Sequence, residues 1–134
     1  MKHTRLLMTL SALVLAALGL PCVFAPEIVL ASITGSTAPG PELIVQITGA
    51  LYFGFAGLNW MGRGSLIGGI YGRPVAIGNL MHFLVGGLAL IKAASSAPAS
   101  ALLWPLSILY LLFALCFAVI VFGNPLRAST DKPA

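Results

Sequence analysis

Along this chain, long apolar runs alternate with short polar connections. The runs cover 6–24, 42–60, 74–94 and 102–122, and each approaches the roughly twenty residues a helix needs to cross a bilayer core about 30 Å thick. Seven Lys/Arg and three Asp/Glu residues punctuate them. Lys2 and Arg5 precede the first run, and Glu27 and Glu42 bracket the first connection. Arg63 and Arg73 sit in the second connection, Lys92 opens the third, and Arg127, Asp131 and Lys132 follow the last run. Charge is excluded from lipid. The pattern therefore predicts an all-α, polytopic membrane four-helix bundle, a single domain over residues 1–134.

The connections predict further elements. Pro26 suits a first helical position and Glu27 favours a helix amino end, so 26–33 reads as a short interfacial helix along the outer surface. The Gly/Ser/Thr/Pro-rich stretch 34–40 is a turn, and Pro41 and Glu42 start the second long helix. Gly62, Gly64, Gly68, Gly69 and Gly72 make 61–73 a glycine-rich connection, after which Pro74 restarts the chain as the third helix. Small residues over 95–100 form a tight turn. Pro105 falls in the first turn of the fourth helix or kinks it, and Gly123, Asn124 and Pro125 end that helix. Lys2, His3 and Arg5 ahead of an apolar run also fit a cleaved signal peptide, with Val29-Leu30-Ala31 as its cleavage site. The length of the run and the Pro26-Glu27 break before that site favour a retained helix.

Composition agrees with this class. Apolar residues make up 59% of the chain, charged residues 7%, and the mean hydropathy is +1.03. A water-soluble domain carries about a quarter charged residues, so a soluble reading is excluded. The net charge of +4 comes from basic residues scattered at run ends, not clustered on one face, which argues against a nucleic-acid partner. Their distribution sets orientation instead. With a cytoplasmic amino terminus, Lys2, Arg5, Arg63, Arg73, Arg127 and Lys132 all face inward, and Lys92 alone faces out with both glutamates. The chain is read as a multi-pass protein of the inner (plasma) membrane with both termini cytoplasmic. Cys22 and Cys116 fall at different depths and are not expected to pair. Pro21 before Cys22 fits a lipid-attachment signal poorly.

Candidate chemistry concentrates between Asn59 and His82. Arg63 and Arg73 flank a glycine-rich loop, where converging backbone N–H groups and guanidinium forks suit a phosphate such as a lipid head group. The plainer reading is that the arginines set topology and the glycines permit a fold-back. No Gly-Lys-Ser/Thr phosphate loop is present, so nucleotide binding is not supported. Within the runs polar residues are few: Gln46 in the second, Asn79 and His82 in the third, Ser107 and Tyr110 in the fourth, with Asn59 near the inner end of the second.

Asn79, His82, Gly86, Ala89 and Ala93 share one helical face, and Gln46, Ala50, Gly54 and Gly57 form a comparable stripe on the second helix. The second and third helices are expected to pack through these stripes, since small-xxx-small spacing permits close approach. An intramembrane histidine can relay protons or hold a metal. His82 has no second intramembrane histidine, no carboxylate in the interior of a run and no cysteine pair to help it. A hydrogen bond to Gln46 or Asn59 is its expected role, with ligand contact next. Trp60 and Trp104 fit the aromatic belts of a bilayer.

The candidate binding residues are thus Asn59, Arg63, Arg73, Asn79 and His82; no catalytic residue, cofactor or metal is implied. Three functions remain open. The first is a non-enzymatic bundle that binds lipid, a small apolar molecule or a membrane-protein partner. The second is a small transporter or channel working as a homo-oligomer, although the intramembrane carboxylate of small proton-coupled exporters is missing. The third is a membrane enzyme using His82 and the Arg63/Arg73 loop. In overall plan the chain resembles small bacterial four-helix membrane proteins of the DoxX-like kind. That likeness lies in its four helices, the Phe24-Ala25-Pro26-Glu27 exit from the first and the glycines of the second. It implies inner-membrane residence and carries over no site residue.

Overall fold

Where no water reaches the backbone, each N–H and C=O must find its partner within the segment, and helix is the solution open to a single apolar run. The computed structural model describes residues 2–35, 40–64, 72–96 and 101–123. Its elements are α1 (Lys2–Phe24), α2 (Pro26–Thr34), α3 (Glu42–Gly62), α4 (Arg73–Ala94) and α5 (Leu103–Phe122). Four of them, α1, α3, α4 and α5, are long and apolar enough to cross a membrane. The helices extend somewhat past the apolar runs. α1 takes in the basic residues ahead of its run, and α3 continues through Met61 to Gly62.

Local chemistry sets the boundaries. A break at Ala25 separates α1 from α2, and Pro26 opens α2 where its missing N–H costs nothing. Gly35 ends α2 with φ of 69°, a left-handed conformation that glycine adopts without steric penalty, and its N–H caps the Ala31 carbonyl at 2.9 Å. Pro105 lies in the first turn of α5, so it starts the helix and does not interrupt it. Most of the glycine-rich loop (65–71), parts of the turns at 36–39 and 97–100, and the stretch from Asn124 onward lie outside the described residues.

The long helices form two antiparallel pairs, α1 with α3 and α4 with α5. In the first pair, glycine brings the backbones together. A Cβ added at Gly49 would lie 2.7 Å from Val23 Cγ2 and 2.9 Å from Cys22 Cβ, and one at Gly19 would lie 3.2 Å from the Gly49 carbonyl oxygen. In the second pair, Gly86 and Gly87 receive Tyr110 and Leu111. Phe83 of α4 stacks on Phe113 and Phe117 of α5, with centroids 4.9 and 5.8 Å apart. Short α2 folds against the ends of α1 and α3.

Between the pairs, α3 and α4 approach one another only lightly along their backbones. Side chains close this seam: Met8, Leu15 and Ala56 from one pair join Ala76, Leu80, Phe83 and Tyr110 from the other in a single core. The stripe expected to join α3 to α4 does not do so. Gln46, Ala50, Gly54 and Gly57 are all exposed, and a Cβ at Gly54 or Gly57 would meet nothing within 4 Å. Gly49, about 100° further round the helix, makes the close contact instead, and makes it with α1. The outward surface is apolar, with Leu13, Leu51, Val85, Leu115 and Val119 each more than half exposed.

Candidate functional site

Two groups of polar side chains occupy the seam. The first joins three helices. Asn59 of α3 and Asn79 of α4 exchange reciprocal hydrogen bonds, each Nδ2 donating to the other's Oδ1 at 2.7 Å. Asn59 Nδ2 also donates to Ser11 Oγ of α1 at 3.0 Å, and Asn79 Nδ2 to the Val75 carbonyl at 2.9 Å. Ser11 in turn donates to the Met8 carbonyl at 3.1 Å. All three residues are fully buried. Each amide has two N–H donors, and both amides have committed both of them within the protein. Asn59 and Asn79 therefore act on one another as a clip between the helix pairs.

The second group lies further along the seam, one turn of α4 beyond the clip. His82 sits among four aromatic rings. Phe55 of α3 stacks on it at 4.6 Å, Phe83 meets it edge-on at 5.1 Å, and Tyr52 and Tyr110 lie 5.7 Å away. The histidine ring is half-buried, yet its Nε2 is enclosed and has no hydrogen-bond partner. Tyr110 of α5 is only 1% exposed, and its hydroxyl is also without a partner. The Tyr52 phenol faces it without closing a good hydrogen bond. His82 thus meets neither Gln46 nor Asn59. Ser107, by contrast, turns back on its own helix and donates to the Trp104 carbonyl at 2.7 Å.

Burying a polar group without a partner is costly, and native proteins keep few such groups. His82 and Tyr110, whose rings lie 5.7 Å apart, carry two of them. Among the described residues, no three His, Cys, Asp or Glu side chains come together to hold a metal ion. Cys22 and Cys116 are free and sit on different helix pairs.

The two arginines lie apart from the aromatic cluster, at the end of the bundle where the asparagine clip sits. Arg63 is stacked over the Trp60 ring, its guanidinium carbon 3.5 Å from the centroid. Arg73 begins α4 and is exposed. The loop joining them runs through 65–71, outside the described residues. Exposed Arg5 on the first turn of α1 belongs to the same end, because Met8 and Ser11 of α1 meet Gly62 and Asn59 of α3.

Ser11 and Tyr52 are the members of the two groups that the sequence pattern does not mark. A signal for Tyr52 was present: it lies seven residues, two helical turns, before Asn59 and so shares its face. Nothing distinguishes Ser11 from any small residue of an apolar helix. Comparison with protein-family models, curated proteins and solved structures finds no match for this chain.

Proposed function

We propose that the protein is a non-enzymatic, multi-pass bundle of the inner (plasma) membrane that binds a membrane-dissolved molecule in the seam between its helix pairs. Embedding is supported by the four long apolar helices and their apolar outward faces, which bulk water would hydrate at large cost. Orientation rests on the basic residues: Arg5, Arg63 and Arg73 share one end, which becomes the cytoplasmic side, and both termini follow them inward. Short α2, with Glu27 in its first turn, then lies at the outer surface. Reporter domains fused after residues 35, 68 and 97 should read outside, inside and outside; a cytoplasmic signal at 35 would refute this topology.

The observation that carries the binding reading is the pair of buried, unpartnered polar atoms, His82 Nε2 and Tyr110 Oη, set in an aromatic surround. An enzyme would need an acid–base partner beside them, and among the described residues no carboxylate lies near: Glu27 and Glu42 sit at the far end of the α1–α3 pair. Membrane lipids are the second expected partner. Arg63 and Arg73 stand where anionic head groups lie, and lipid phosphate is the nearest match to a guanidinium fork. Native mass spectrometry of the protein reconstituted with a total lipid extract tests both. Wild type should carry a small adduct that the His82→Ala, Tyr110→Phe variant lacks, and phospholipid adducts that the Arg63→Ala, Arg73→Ala variant loses in part. A wild-type spectrum free of small adducts would overturn the seam site.

A further inference from the structure

The chemistry of the two unpartnered atoms narrows what the seam takes, an inference that rests on the binding reading above. Imidazole Nε2 presents either a lone pair or an N–H according to its tautomer, and a phenol can donate or accept. A hydroxyl is the group that satisfies both under either tautomer, because it donates one hydrogen bond and accepts others. A carbonyl only accepts, so it requires both protein groups to donate. A carboxylate would bring a charge into a seam whose nearest cations, Arg5, Arg63, Arg73 and Lys92, all stand at helix ends.

The walls specify the remainder of the molecule. Phe55, Phe83 and the ring of Tyr52 surround the pair, the Tyr52 phenol stands beside the Tyr110 hydroxyl, and among the described residues no charged side chain joins them. Gly86 lets the Tyr110 ring lie against α4, since an added Cβ would sit 2.9 Å from Tyr110 Cε1. Gly78 stands opposite Phe55 on the α3–α4 boundary, where the two backbones approach only lightly. The half-buried His82 ring brings that boundary within reach of the surrounding lipid while its Nε2 faces inward.

We propose that the seam binds a membrane-dissolved alcohol. One hydroxyl is shared between His82 Nε2 and the Tyr110 phenol, and the apolar body enters between α3 and α4 and lies against Phe55. Tyr110 and His82 then hold in the complex the hydrogen bonds they lack without it. Asn59, Asn79 and Ser11 take no part, because their donors are already committed.

The test uses full-length protein in lipid nanodiscs and a long-chain primary alkanol carrying a diazirine and an alkyne. Photolabelling should map to α3 and α4 beside Phe55 and His82. Unlabelled alkanol should compete at about tenfold lower concentration than the chain-matched methyl ketone or alkane, the ratio that one hydrogen bond supplies. Tyr110→Phe should melt no lower than wild type and lose labelling by a similar factor. Equal competition by ketone and alkane would overturn the alcohol assignment and leave a seam that binds apolar molecules. Labelling of the seam no higher in wild type than in the His82→Phe, Tyr110→Phe variant would overturn the alcohol assignment and the binding site together.

Discussion

The asparagine clip and the His82 cluster lie one helical turn apart on α4 and are made of the same kind of material, neutral polar side chains in an apolar bundle. They differ in what remains available. Asn59, Asn79 and Ser11 satisfy one another across three helices, whereas neither His82 Nε2 nor the Tyr110 hydroxyl closes a hydrogen bond. Polarity inside such a bundle is therefore no sign of function by itself. What separates a structural contact from a candidate site is whether the hydrogen-bonding capacity is already filled, and this can be read only in three dimensions.

Substitutions can break that comparison or sharpen it. The largest effect is expected at the clip. Asn79→Leu leaves the buried Asn59 amide without its main partner and should cost about 1–3 kcal/mol, read from unfolding in mixed micelles. Asn59→Leu combined with Asn79→Leu should recover part of that loss, because the cost lies in the widowed amide more than in the missing bond. A double mutant at the sum of the singles would show that the two amides act independently. Gly86→Ala comes next. Its methyl group would crowd the Tyr110 ring at 2.9 Å, and overpacking partly offset by better helix propensity should cost on the order of 1 kcal/mol. It should also change the near-ultraviolet circular dichroism of the tyrosines while leaving the clip intact.

The smallest loss belongs to Tyr110→Phe, which removes a buried hydroxyl with no good protein partner and should leave stability unchanged or raise it by up to about 1 kcal/mol. A large destabilisation by Tyr110→Phe would mean that the hydroxyl is already satisfied, and the contrast between the two groups would disappear.

The positions of the long helices were legible because a spanning segment must be both apolar and long, and the breaks fall at Pro26, Pro41 and Gly72-Arg73-Pro74. Which face of each helix turns inward was not. Residues facing outward are as apolar as residues facing the core, so these helices carry no amphipathic stripe to orient them. Small residues then offered the wrong guide on α3: the Ala50-Gly54-Gly57 stripe looks outward, and Gly49, outside that stripe, meets α1. On α4 the guide was better, since Asn79 and His82 do share the face that meets α3. Their different fates were hidden because they depend on which α3 residue stands opposite, an amide in one case and Phe55 in the other.

The division into two consecutive helix pairs bears on how the molecule is made. Everything in α1, α2 and α3 precedes residue 63 in the chain, so the first hairpin can form while the second is still on the ribosome. Until α4 arrives, Asn59 has Ser11 as its partner and nothing to accept at its carbonyl. That unmet amide would favour capture of the second hairpin at Asn79. The clip would then act as a latch, fixing the register of the later half and, with it, the placement of His82 against Phe55.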